Sequence, residues 1–144
     1  MEFTPRAEKA FRIAESEAHS AGHSAVGSQH LVLGLLLLGD GVHFAVLKGL
    51  GCTADSVRQN IMAIGAVPEA TERFEGHEFG SSAARALLRA GEEASAMKHT
   101  YIGTEHILLG LLLEQSGPAV RLFSAQGLDV ARARNMIINE LKQV

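Results

Sequence analysis

Apolar residues in the first stretch of the chain fall at Ala7, Ala10, Phe11, Ala14 and Ala18, with charged and polar residues filling most positions between them. That i, i+3, i+4, i+7 spacing marks one buried face of a helix, and it returns at Ala83, Ala86, Leu87, Ala90 and Ala94. Thr4 followed by Pro5 makes an N-cap and first-turn pair, and His19 to Gly22 supplies a stop, so a helix is expected over 5–21. Residues 29–38 are apolar nearly all round, the pattern of a helix enclosed by its neighbours. Helices near 42–50 and 54–64 follow, separated by Gly51 and with Thr53 as a cap. In the later half Pro118 opens the third helix and Asp129 caps the fourth. Gly80 and Ser81 stand where the first half has Thr4 and Pro5, which predicts a weaker cap and more fraying. Residues 65–78, with Gly65, Pro68 and Gly76 and no firm periodicity, read as a flexible linker.

The recurrence is an internal duplication. Aligned without gaps at an offset of 76, residues 3–61 and 79–137 share 18 identical pairs out of 59. The pairs include Phe3/Phe79, His23/His99, Gly27/Gly103, His30/His106, Gly34/Gly110 and Gly41/Gly117. A copied supersecondary unit commonly packs on its twin about a pseudo-twofold axis. The expectation is an all-α fold of eight helices in two pseudo-twofold-related four-helix repeats packed as one domain. Its parts are repeat one at 3–64, the linker at 65–78 and repeat two at 79–142. Gly34 and Gly110 lie inside the apolar helices at an intrinsic cost of about 1 kcal/mol against alanine, which points to another backbone or a large side chain crossing closely there.

Composition narrows the function. With 144 residues, 47% apolar and 20% charged, the chain has the make-up of one folded domain. A formal net charge of -3 leaves no basic surplus for a phosphate backbone, which speaks against nucleic acid as a partner. One cysteine, Cys52, cannot close an internal disulfide and suits a reducing compartment, so a cytoplasmic setting is expected. The most apolar run, 31–38, falls short of the roughly 20 residues that span a bilayer, and no membrane role is expected. No G-x-x-x-x-G-K-[ST] phosphate loop occurs.

Among polar candidates, Ser28 and Thr104 read as N-caps of the two apolar helices, and Glu105 as a first-turn carboxylate favoured by the helix dipole. His30 and His106 fall in the same first turns with no acid or cysteine at useful spacing, so structural hydrogen bonding is their expected role. His19 and His23 are four apart, but Gly22 intervenes and no third ligand sits beside them, so no metal site is expected. Cys52 has no paired base and reads as a small buried thiol. Phe3 and Phe79 mark equivalent ends of the repeats, where a shared hydrophobic groove for peptides or adaptors is expected.

Gly103-Thr104-Glu105-His106-Ile107-Leu108-Leu109-Gly110-Leu111-Leu112 and its partner Gly27-Ser28-Gln29-His30-Leu31-Val32-Leu33-Gly34-Leu35-Leu36 resemble the G-T-E-H-I-L-L-G-L signature that occurs twice in the Clp amino-terminal domain. Phe3-Thr4-Pro5-Arg6-Ala7 is similar to that family's F-T-x-R-A opening. The resemblance implies an eight-helix domain that sits on a hexameric AAA+ unfoldase, binds protein clients and adaptors, and is not itself an enzyme. It implies no cofactor. In the ClpC type, the glutamate of each G-T-E-H is similar to a receptor for phosphoarginine tags, which marks Thr104, Glu105, Ser28 and Gln29 as ligand candidates. Only the second copy keeps the acid; Gln29 cannot form a charge-assisted pair. Two other classes compete with recruitment to a Clp machine: a free-standing, anti-adaptor-like regulator, and a small hydrolase for which no nucleophile–base–orienter set is visible.

Overall fold

The computed structural model describes residues 2–142. Eight helices carry the chain among the described residues: α1 (Pro5–Ser20), α2 (Ser28–Leu38), α3 (Val42–Gly49), α4 (Ala54–Ile64), α5 (Ser81–Ala96), α6 (Thr104–Leu113), α7 (Pro118–Ala125) and α8 (Val130–Lys142). Four short strands join them: β1 (Glu2–Phe3), β2 (Thr71–Phe74), β3 (His77–Gly80) and β4 (Tyr101–Ile102). The helix starts follow local chemistry. Thr4 Oγ1 accepts the Ala7 N–H at 3.1 Å, Thr53 Oγ1 accepts that of Ser56 at 3.2 Å, and Asp129 Oδ1 accepts that of Arg132 at 3.0 Å.

The alanine face of α1 lies on α2, and that of α5 on α6, with Ala10, Ala14, Ala86 and Ala90 almost wholly buried. A Cβ on Gly34 would stand 2.6 Å from the Ala10 carbonyl oxygen and 3.2 Å from the Ala14 nitrogen. On Gly110 it would overlap the Ala86 carbonyl more severely still. Small residues on one helix and glycine on the other let two backbones touch, which is why this costly mid-helix glycine occurs in both repeats.

The two repeats exchange their leading segments. β1, ahead of repeat one, pairs in parallel with β4 of repeat two, Phe3 opposite Ile102, and Thr4 N–H donates to Ile102 O at 3.0 Å. Reciprocally, Phe79 of β3 bridges Val26, and Gly80 N–H donates to Val26 O at 2.8 Å. Ser28 Oγ accepts the Ala119 N–H at 2.9 Å and so satisfies the start of α7 from the other repeat.

The segment expected to be a flexible linker instead carries a hairpin. β2 and β3 run antiparallel with Glu72 opposite Phe79, joined by Glu75 and Gly76 at φ of 53° and 80°. Two successive positive φ values make the primed turn that suits strand twist. His77 fastens the hairpin to α1, with Nδ1 2.9 Å from a Glu15 oxygen and its ring edge-on to Phe11. The start of α5 is also better served than its glycine cap implies. The Glu69 carboxylate, at the foot of the hairpin, accepts from Ser82 N–H at 3.3 Å and Ser82 Oγ at 2.9 Å.

The backbone contact at the glycines predicts a ranked response. Gly110→Ala should destabilise the domain by about 2 kcal/mol or more in urea unfolding, despite the better helix propensity of alanine. Gly34→Ala, with the milder overlap, should cost less. Equal or improved stability in both variants would contradict the close crossing.

Candidate ligand sites at the starts of the core helices

The caps of α2 and α6 are Gly27 and Gly103, one residue earlier than expected, so Ser28 and Thr104 are the first helical residues rather than the caps. The capping side chain comes from three residues on. Gly27 N–H donates to His30 Nδ1 at 2.8 Å, and Gly103 N–H to His106 Nδ1 at 3.0 Å. With Nδ1 accepting, the proton of each neutral ring is on Nε2, which donates to a second histidine: His23 Nδ1 at 2.8 Å, and His99 Nδ1 at 2.9 Å. Both inner rings are buried, at 1% and 0% exposure. Burial, then the neighbouring histidine, lowers His30 and His106 from 6.5 to about 4. His23 therefore turns to His30 rather than towards His19.

The two copies differ in what they present. In the first, Ser28 is fully buried and its hydroxyl is committed to α7 and to Ser82 Oγ at 3.4 Å, leaving it closed to a ligand. Gln29 is 2% exposed, its Oε1 has no hydrogen-bond partner, and it lines a cavity of about 410 Å³. In the second, Thr104 Oγ1 donates to Glu105 Oε2 at 3.1 Å, and Glu105 is partly exposed. Its carboxylate joins none of the ion pairs among the described residues. The charge of Glu105 weakly opposes the downward shift that burial imposes on His43. Arg6 also acts on His43, and pairs with Asp40 at 2.8 Å beside the start of α3.

Phe3 and Phe79 are brought together, but not as an open groove. Phe79 is fully buried against Phe11, Phe74 and His77, and Phe3 is half-buried, edge-on to Phe11 at 5.0 Å. The protein's own rings fill the expected docking site because the hairpin folds over it. The open apolar surface lies beside it, where Phe74 and Leu88, 40% and 65% exposed, border a groove between the hairpin and α5. Gly76, which takes a positive φ in the turn after Glu75, was the local signal that could have located the hairpin. Cys52 is buried and its thiol is pushed up to about 11 by desolvation, which leaves it unreactive. No single helix among the described residues is long and apolar enough to cross a membrane.

Fold and sites together define a class of protein: an all-helical domain built from a doubled four-helix unit, each core helix closed at its start by a histidine pair. The family described as the Clp repeat (R) N-terminal domain matches residues 2–126 and again 78–144, and the chain belongs to that family. It is 36% identical over 141 residues to a probable ATP-dependent Clp protease ATP-binding subunit of Chlamydia pneumoniae, covering 97% of this chain. It is 31% identical over 139 residues to the negative regulator of genetic competence ClpC/MecB of Bacillus subtilis, covering 96% of this chain. The chain spans 17% of the length of each of these relatives. The solved N-terminal domain of the Clp-associated chaperone ClpD from Arabidopsis thaliana superposes with a TM-score of 0.82 at 29% identity, over 97% of this chain and 94% of that one. The Hsp104 N-terminal domain from Candida albicans shares the fold, with a TM-score of 0.73 at 20% identity over 96% of this chain and 90% of that one.

The lowered histidines make stability depend on pH with a definite sign. Their unfolded value is 6.5 and their folded value about 4, so between these limits the unfolded chain binds protons that the folded chain refuses. Stability is therefore full above pH 6.5 and falls on acidification, by up to about 1.4 kcal/mol per pH unit for each histidine. His106→Asn keeps an acceptor for Gly103 but removes one titrating group. Its urea-derived stability should show a slope about one proton shallower between pH 5 and 6.5, whereas an unchanged slope would mean that the ring is not buried neutral.

Proposed function

We propose that this chain is a non-catalytic protein-binding module that recruits clients or adaptors to a Clp AAA+ unfoldase, and that its second copy reads phosphoarginine. The observation that carries this reading is the Glu105 carboxylate, partly exposed, without a cationic partner among the described residues, and anchored at a histidine-capped helix start. A carboxylate forms a bidentate pair with a guanidinium. Helix-start N–H groups suit the attached phosphate, and Arg6, paired with Asp40, lies beside the start of α3. The Clp protease ATP-binding subunits among the relatives supply the machine to which such a module would belong. The apolar groove beside Phe74 and Leu88 gives recruited chains a second, tag-independent contact. Clients and adaptors are the partners on this reading, and no chemical step is assigned to the domain.

Isothermal titration of free phosphoarginine into the wild-type domain should show one site, weakened at least tenfold by Glu105→Ala. No binding by the wild type, or equal binding by the variant, would remove the tag-reading role.

A further inference from the structure

The hairpin between the repeats leaves one strand edge open. Its register pairs Glu72 with Phe79 and Phe74 with His77, and the two-residue turn makes Phe74 and His77 a hydrogen-bonded pair. Ser81 N–H donates to Ala70 O at 2.8 Å and continues the alternation, so the peptide groups of residues 70, 72 and 74 face β3. The N–H and C=O groups of Thr71 and Arg73 therefore point the other way. Among the described residues none of these four groups has a backbone partner, and every residue of β2 is exposed. The far edge of β3 is already taken: Val26 N–H donates to Glu78 O at 3.2 Å, and Gly80 N–H to Val26 O at 2.8 Å.

An unpaired strand edge is a template for an added strand, in which main-chain hydrogen bonds give affinity and alternate side chains give specificity. Glu72 and Phe74 share the hairpin face that carries Phe79 and His77. Phe74 also borders the groove to α5, which Leu87, Leu88, Gly91 and Ile102 line as well. A strand laid along β2 thus sets every second side chain on the groove side. Charge selects among such strands. Glu72 and Glu75 on the hairpin and Glu92 in the groove are exposed, and none of them joins an ion pair among the described residues. Arg73 is the one Lys or Arg of the hairpin strands and turn, so the open edge is acidic. The same charges oppose pairing of two such edges from separate copies. We infer that the free edge of β2 binds an extended segment of a client protein by strand addition, with an apolar side chain beside Phe74 and a basic one two residues away beside Glu72. The client origin of the segment rests on the reading of the chain as a protein-binding module; the strand pairing does not.

The test is a titration of a short, capped threonine peptide into the full chain, followed by amide NMR and hydrogen exchange. The peptide carries one leucine with a lysine two positions away on each side. The expected result is saturable shifts at Thr71, Arg73, Leu88 and Gly91, with slowed exchange of the Thr71 and Arg73 amides. A backbone N-methylated peptide keeps the side chains but loses the donors, and should bind more weakly by about tenfold. Arg73→Pro removes an outward N–H at an edge position that tolerates proline, and should weaken the parent peptide similarly. The Phe79 and Gly80 amides report whether the hairpin still stands in that variant. A peptide with glutamine in place of both lysines should bind more weakly than the parent. Unchanged exchange at Thr71 and Arg73, or equal binding of the N-methylated peptide, would overturn strand addition; equal binding of the glutamine peptide would overturn the basic preference. A dimer of the chain alone that Arg73→Pro abolishes would give the edge to a second copy and overturn the client assignment. Phosphoarginine binding is read separately at Gly103, so failure of either reading is visible without the other.

Discussion

The rest of the structure depends on backbone touching backbone where α1 crosses α2 and α5 crosses α6. Gly34 and Gly110 admit no side chain at these points, because the carbonyl oxygens of Ala10 and Ala86 occupy the space. The crossing holds each apolar helix at a fixed height against its alanine-faced partner. It thereby sets where the helix begins, and hence where Gly27-Ser28-Gln29-His30 and Gly103-Thr104-Glu105-His106 present their polar groups. The histidine caps complete the arrangement from inside, each ring fixed on both nitrogens. A binding group on such a start loses little conformational freedom when it meets a ligand.

Duplication has been used in two ways. The copies remain tied to each other by reciprocal strand exchange and by Ser28 reaching α7, so neither is a free-standing unit in its contacts. Their polar starts have diverged nonetheless. The second keeps a carboxylate in sequence and leaves it partly open; the first buries an amide, and the hairpin between the repeats brings Glu69 alongside it. One rigid frame thus carries two starts of different charge layout.

Much of this was legible along the chain. The i, i+3, i+4 alanine stripes, the caps Thr4, Thr53 and Asp129 and the two mid-helix glycines located eight helices and their close crossings, since each rests on interactions within a few residues. Ser28 and Thr104 were misread as caps because a hydroxyl before an apolar run is ordinarily one; the histidine three residues on competes better here, being buried with its partner already in place. Phe79 matches Phe3 in the repeat, yet its burial is decided by a hairpin that folds back over it. Glu69 lies 13 residues before the serine it caps, and only that hairpin brings them together. Contacts of that kind leave no periodic trace.

The central claim is that the ligand-presenting helix starts belong to the same cooperative unit as the glycine crossings. Native-state hydrogen exchange at neutral pH tests it directly, through the amides of Gly27 and Gly103 compared with those of Leu33 and Leu109 in the buried helix interiors. The account predicts that all four exchange only through global unfolding, with the same opening free energy and the same dependence on denaturant. Exchange of Gly27 or Gly103 through a smaller, denaturant-independent opening would contradict it, and would make the sites local loops carried by the fold rather than parts of its core.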